Sequence, residues 1–350
     1  MSDENVRLER VEQALSSEMT AKVMALWQQE NAIIENTDER LTEIRALAWN
    51  GENLVGVASI GVMEHKGIRK PLFILRALVS SRVRQQGPAY LLYRSVVEWV
   101  EERFDDGTDT RAIGVYVEVE AVHMPEYGDI PCTFSHTHSQ QNRPVAFNLV
   151  NITDQGFPQF IYFFENASLF DEGPIPPETV ERGELLAGAT VDFCWKKLTS
   201  ADQQQIIGLW LSHGMFTTKE ACMERLPQVA ATAREEGTVV AVASIFRAEH
   251  PISKVNLIGI RAFSSPDARG SFYATKLFHC VFDELNRTYK DDPELQHYHG
   301  MGMAVQNDRL SKSVVRPRGK SGQTCLAGYA KDRQFRVRYF DDAFVKMSNT

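Results

Sequence analysis

Cysteine is sparse in this chain: five residues in 350, at Cys132, Cys194, Cys222, Cys280 and Cys325, with no Cys-x-x-Cys pair. Scattered cysteines in odd number argue against a disulfide framework or a zinc ribbon, and a reducing cytoplasm is the simplest compartment. Long apolar runs are also missing, and nothing approaches the ~18–20 residues needed to span a membrane. The opening residues, Met1-Ser2-Asp3-Glu4-Asn5, are acidic and carry no apolar core, so no signal peptide is expected. Positive charge is in deficit: the net charge is −8, which argues against a general nucleic-acid binder. What remains, with 43% hydrophobic and 24% charged residues, is an ordinary globular composition long enough for two domains.

The chain is organised around Ile74 to Phe104. Ile74-Leu75-Arg76-Ala77-Leu78-Val79 is a short apolar run that reads as a buried strand. Arg84-Gln85-Gln86-Gly87-Pro88-Ala89 follows, and then Leu91, Leu92, Val96, Trp99 and Val100 recur at helical steps. Pro88 suits a first helical position, where the missing N–H has no partner to lose. A helix N-terminus leaves N–H groups unpaired and partly positive, and glycine there lets an anion approach the backbone. Strand, tight loop and helix with Arg-x-x-Gly-x-Ala therefore describe a pyrophosphate cradle; the alternative is an ordinary turn that contains glycine.

A second copy supports the first reading. Ser59 to Ala89 lies on Ser244 to Ala274 without a gap, at a constant offset of 185. Leu54 to Ile60 matches Val239 to Ile245, Glu64-His65 matches Glu249-His250, and Arg76-Ala77 matches Arg261-Ala262. A repeat of this period means two similar domains rather than a solenoid. The boundaries read 1–170 for the first domain, 171–188 for a Pro-rich, charged linker, and 189–350 for the second.

The cradle resembles the coenzyme A loop of the GCN5-related N-acetyltransferases (GNAT), whose signature is Gln/Arg-x-x-Gly-x-Gly/Ala. The element order is similar too: in the first copy a strand, two helices, three strands, a helix and a further strand, Ala112 to Val122. The fold class expected is α/β (an α+β mixed sheet), as two tandem GNAT-like domains. Val145 to Ile152 and Gln159 to Glu165 match the family's closing strands. His123 to Pro144 departs from the family pattern. It is polar, holds three prolines, and reads as a long loop in place of a fourth helix; Asn307 to Val315 would be that helix in the second copy.

The resemblance implies an acetyl-CoA or other acyl-CoA cosubstrate, no metal, and direct acyl transfer to an amine on a small molecule or protein. It implies cofactor contacts at Leu78, Val79, Arg84, Gln85, Gln86, Gly87 and Ala89. Phe272 stands where Gly87 stands in the first copy, so the second cradle reads as degraded and the first as the coenzyme A site. For the base, alternation from Gly114 places Val115, Val117 and Val119 on one face and Tyr116, Glu118 and Glu120 on the other. Either these polar residues line a wet cleft, where burial and repulsion raise one carboxylate's pKa, or the strand end faces solvent. Tyr127 is the candidate acid, although the family's tyrosine sits on the helix that the first copy lacks.

Arg76 and Arg261, at matching points in mid-strand, read as a shared buried salt bridge or as binders of an anionic acceptor; Arg76 and Tyr116 are the candidate acceptor contacts. The repeated Glu-His pairs read as structural turns. Cys132, His136 and His138 lack a clear fourth zinc ligand, His297 and His299 alternate on a strand, and Arg316 to Lys320 reads as a basic surface loop. Two rival readings remain: a transferase of the same fold that uses aminoacyl-tRNA, and a non-catalytic acyl-CoA-binding regulator.

Overall fold

A computed structural model describes residues 6–32, 36–83, 87–119, 129–171, 173–175, 188–269, 272–305, 315–319 and 324–346. The chain divides into two compact units. Residues up to Pro177 form the first, joined by Arg309–Gly322 and Lys346–Thr350; Glu178–Asp308 and Gln323–Val345 form the second. No helix among the described residues is long and apolar enough to cross a membrane.

The first unit is built on a mixed eight-stranded sheet. Its elements in order are β1 (Arg7–Arg10), α1 (Ser17–Gln29), α2 (Thr37–Thr42), β2 (Ile44–Asn50), β3 (Asn53–His65), β4 (Lys70–Val79), α3 (Pro88–Asp105), β5 (Gly114–Glu118), β6 (Asp129–Pro131), β7 (Thr133–Thr137), β8 (Pro144–Ile152) and β9 (Pro158–Phe163). The sheet order is β1-β2-β3-β4-β5-β9-β8-β7. Asn50-Gly51 turns the β2–β3 hairpin, with Gly51 at φ 60°. Asn36 is the N-cap of α2, left-handed and without a side-chain cap bond.

Alternation in the strands sends apolar residues to both faces, and both are packed over part of their length. Val23, Leu26 and Trp27 of α1 pack on Ile44, Leu47 and Val57, with Leu78 at the margin. α3 covers the other face: a Cβ on Gly56 would meet Leu92, and Phe73 and Phe104 both contact Phe164. Phe134, Phe147 and Phe160 extend this second layer as an aromatic stack.

The expected long loop from His123 to Pro144 contains strands. Residues 120–128 lie outside the described residues, but β6 and β7 occupy half of the remainder. β7 pairs antiparallel with β8, Phe134 opposite Phe147 and His136 opposite Val145. Phe134 and His136 point inward at a period of two, which suffices for an edge strand whose other face is wet. The imidazole of His136 is buried between the Tyr90 and Tyr93 rings of α3.

The second unit repeats the plan over β10 (Thr190–Phe193), α4 (Ser200–Ser212), α5 (Lys219–Arg225), β11 (Val229–Glu235), β12 (Thr238–Glu249), β13 (Asn256–Ser264), α6 (Tyr273–Thr288), β14 (Gly300–Ala304), β15 (Cys325–Ala330) and β16 (Arg333–Tyr339), followed by β17 (Phe344–Lys346). Its seven-stranded sheet has the order β10-β11-β12-β13-β14-β16-β15. β14 begins at Gly300, so His297 and His299 precede the strand and do not alternate on it. The helix expected from Asn307 falls outside the described residues up to 314.

The repeated Glu-His pairs do hold turns. His65 Nδ1 accepts the Ile68 N–H at 3.1 Å, and His250 Nδ1 accepts those of Ile252 and Ser253 at 3.2 and 3.1 Å. His250 is fully buried, and burial, with Lys254 adding to it, pushes its pKa down to about 3. The folded state therefore holds a neutral ring that the unfolded chain protonates near pH 6.5. The stabilisation is complete above that pH and is lost progressively as the pH falls toward 3. We expect the second unit to lose somewhat over ~1 kcal/mol per pH unit in this window, and His250→Asn to flatten the slope. Urea unfolding from pH 7 to pH 4 measures both; equal slopes for the two proteins would reject the assignment.

Candidate active site

The site is built where β4 and β5 part. These strands are parallel, yet they pair only at Phe73–Val115, Ile74–Tyr116 and Leu75–Val117. β4 runs on through Arg76, Ala77, Leu78 and Val79, still paired to β3 but beyond its last partner in β5. On its other edge β5 stays paired to β9 as far as Glu118–Gln159. The two strands thus open a wedge between Leu78–Val79 and Glu118.

The N-terminus of α3 follows β4. Gly87 is its N-cap, with φ 80° and ψ 13°, and makes no side-chain cap bond; Pro88 is the first helical residue. A left-handed residue here is cheap for glycine and costs about 1–2 kcal/mol for others. A Cβ built on Gly87 would meet no atom of the described residues within 4 Å. Pro88 has no N–H and the Tyr90 N–H donates to the Gly87 carbonyl at 3.1 Å, which leaves the Ala89 N–H and the partial positive charge of the helix end available to an anion such as a pyrophosphate. Ala89 is exposed in that turn, Leu78 is half-buried and Val79 is buried. Arg84, Gln85 and Gln86 lie outside the described residues, as do Glu120 and Tyr127.

Glu118 and Tyr116 share a face, as alternation requires, and they are bonded: the Tyr116 hydroxyl donates to Glu118 Oε2 at 3.1 Å. Gln159 Nε2 donates to the same oxygen at 2.5 Å, and Asn151 Nδ2 donates to Gln159 Oε1 at 2.9 Å. A chain of amides from β8 and β9 thus holds the carboxylate, and both bonds land on Oε2. Glu118 itself is exposed. Burial acts on Tyr116, whose pKa it raises, with further contributions from the charge of Glu118 and its hydrogen bond. The phenol stays protonated and serves as a donor. Gln159 and Asn151 had no signal in the sequence, because their role follows from the β5–β9 register.

Arg76 is on the same face, at the surface but partly withdrawn from solvent, its side chain 43% exposed. It lies 3.8 Å from Glu43, which pairs more closely with Arg40 at 3.1 Å. Arg40 also reaches Ser59 Oγ at 3.5 Å, and Ser59 faces Arg76 across the β3–β4 ladder. Burial and the charge of Arg40 depress the Arg76 pKa, while Glu43 and Glu118 oppose them. Of the salt bridges expected of Arg76 and Arg261, the described residues hold the first, with Glu43, and not the second: Arg261 instead lies over the Phe246 ring, 3.9 Å from its centroid.

Two other sequence candidates sit elsewhere. Cys132 is buried and its thiol pushed up to about 12 by that burial, while His138 Nδ1 accepts the N–H groups of Gln140 and Gln141. Arg316 is not on a surface loop; it is buried, and donates to the Glu165 carbonyl at 2.8 Å, while Arg318 pairs with the Glu165 carboxylate at 3.1 Å.

The second unit has the wedge without its polar groups. β13 and β14 pair only at Ile258–Met301 and Gly259–Gly302. Because Gly259 corresponds to Ile74, Gly302 takes the place of Tyr116 and Ala304 that of Glu118. Phe335, opposite Ala304, takes the place of Gln159. At the cradle Phe272 is the N-cap of α6, and Tyr273 donates to Glu235 at 2.6 Å.

Comparison with known proteins adds structural similarities. No protein-family model and no curated protein sequence matches the chain. Among solved structures it is similar to a GNAT-superfamily phosphinothricin acetyltransferase from Sinorhizobium meliloti in complex with AcCoA, at 13% identity over 45% of this chain and 90% of that one, with a TM-score of 0.31. It is also similar to a ribosomal-protein-S5-alanine acetyltransferase from Vibrio fischeri, at 12% identity over 45% of this chain and 95% of that one, TM-score 0.31. A third is a GNAT-family N-acetyltransferase from Escherichia coli in complex with CoA, at 14% identity over 44% and 82%, TM-score 0.30.

Proposed function

We propose that this chain is an acyl-CoA-dependent N-acyltransferase, using acetyl-CoA, in which the first unit carries the reaction. The observation that carries the reading is the wedge between β4 and β5, with an uncapped helix N-terminus at one side and a tethered carboxylate at the other. When bound, acyl-CoA supplies the thioester carbon at which an amine attacks. The α3 N-terminus and Gly87 would hold the pyrophosphate, and the open edge of β4 near Leu78 would align the pantetheine arm. Glu118 takes the proton that the amine nitrogen loses as the N–C bond forms and the C–S bond breaks. Tyr116 and Gln159 fix the carboxylate in position, so they are positioning residues. Arg40 and Arg76 set the charge of the acceptor side.

The test is acetyl-CoA binding by calorimetry on the intact chain and on Gly87→Phe, which copies the second cradle into the first. We expect one site in the intact chain and at least tenfold weaker binding in the variant. Left-handed strain of about 1–2 kcal/mol leaves a packed helix folded, and a melting curve checks this. Undiminished binding in the variant would overturn the placement of the cofactor in the first unit.

A further inference from the structure

The arginines of the catalytic face recur in the second unit where their explanation does not. Ser59 faces Arg76 across β3 and β4; Ser244 faces Arg261 across β12 and β13. Ile44 faces Ser59, and Val229 faces Ser244. At the same offset of 185, Arg40 in α2 corresponds to Arg225 in α5. In the first unit Arg40 and Arg76 both reach Glu43, and the repeat sets Arg225 and Arg261 at the matching places in the second, where the charge of Arg261 adds to burial in depressing the Arg225 pKa.

In the first unit Glu43 stands between them. Its counterpart in the second unit is Gln228. Among the described residues no carboxylate pairs with Arg225 or Arg261; their contacts are aromatic. Arg261 lies over Phe246 and Arg225 lies 5.8 Å from the centroid of Phe216. Phe246 takes the place of Gly61, and a Cβ on Gly259 or Gly302 would run into Phe246 or Phe335. The second unit has thus exchanged a carboxylate, a phenol and an amide for phenyl rings, and has kept both cations. Two like charges brought together without a counter-charge cost stability. Among the described residues no structural ion pair accounts for them, whereas a ligand that brings an anion would.

We propose that Arg225 and Arg261 form a second, non-catalytic binding site, for a small organic carboxylate whose apolar body rests on the rings of Phe246 and Phe216. The fork of a guanidinium matches a carboxylate in two parallel hydrogen bonds. The aromatic floor selects a molecule with an apolar portion over a bare ion. With glycine and alanine at the places of Tyr116 and Glu118, the site holds its ligand without acting on it. None of this depends on the acyltransferase reading.

Calorimetry with phenylacetate as the probe, on the intact chain without acyl-CoA, tests the site. We expect saturable binding that weakens more than tenfold in Arg225→Gln/Arg261→Gln. Gln228→Glu gives the second unit the carboxylate that the first unit carries. It keeps both arginines and the fold, and it should displace the probe, again more than tenfold, with a melting temperature equal to or above that of the parent. Inorganic phosphate should bind at least tenfold more weakly than phenylacetate. Failure of phenylacetate to bind the intact chain, or binding that survives Gln228→Glu, would overturn the site. Equal affinity for phosphate would overturn the organic-carboxylate assignment.

Discussion

Glu118→Gln is expected to lower kcat for amine acetylation by about 10²–10⁴-fold and to leave acetyl-CoA affinity unchanged. Glutamine is isosteric, and its amide oxygen still accepts from Tyr116 and Gln159, so the side chain stays where those bonds hold it. What it cannot do is take a proton. Thiol release from acetyl-CoA with a panel of primary amines measures the rate, and calorimetry the affinity. A fall in kcat of less than threefold would remove Glu118 from the reaction. Loss of affinity together with rate would mean that the substitution had disturbed the wedge. Gln159→Leu makes the complementary point: it keeps the base but removes one of its tethers, so it should lower kcat less than Glu118→Gln does.

The second large effect is on stability. Glu101, on the buried face of α3, is fully inaccessible. Arg143 pairs with it at 2.6 Å, the Tyr162 hydroxyl donates to it at 2.7 Å, and the Glu165 N–H at 3.1 Å. Arg143 also donates to the Tyr162 oxygen at 2.8 Å. Burial, with the Glu101 charge behind it, raises the Tyr162 pKa far above the ordinary phenol, so the hydroxyl remains a donor. One carboxylate thus ties α3, the chain before β8, and β9. Glu101→Ala leaves a largely buried guanidinium with only the more distant Glu165 carboxylate, at 3.8 Å, as counter-ion, and breaking a buried pair of this kind costs about 3–5 kcal/mol. Tyr162→Phe removes only the hydroxyl, for about 1–3 kcal/mol. Hydrogen exchange across α3 and β9 in increasing urea reads both. If Glu101→Ala costs less than Tyr162→Phe, the carboxylate is not the centre of this network.

Much of this architecture is written in short-range patterns. The strands from β2 to β4 and from β11 to β13 alternate or run apolar because both faces of a central strand are packed, and that signal needs no partner to be read. The start of α3 is legible for the same reason, since glycine and proline at a strand-to-helix turn have local consequences. The missed features depend on what meets across the sheet. Phe134 and His136 carry a period of two, but prolines and polar neighbours hide it until β8 is there to pair with. Arg316 looks like surface in a basic run and becomes buried only because Glu165 is brought to it. Arg40 drew no attention as a first-turn residue, although the constant offset links it to Arg225. Gln159 sits in an apolar hairpin and acquires a role solely from facing Glu118.

The piece of late chain that belongs to the first unit bears on how the protein is made. The Leu169 N–H donates to the Val315 carbonyl, and Arg316 and Arg318 both engage Glu165, so the end of β9 is tied to residues about 150 positions downstream. Synthesis at ~5–20 residues per second separates the two on the order of ten seconds in time. Glu165 must wait that long for its arginines, while the residues of the second unit are translated in between. A fragment cut at the linker would keep the wedge and the cradle but never receive this late clasp. Biosynthesis of the first unit thus finishes only after the residues up to Asp308 of the second have been made.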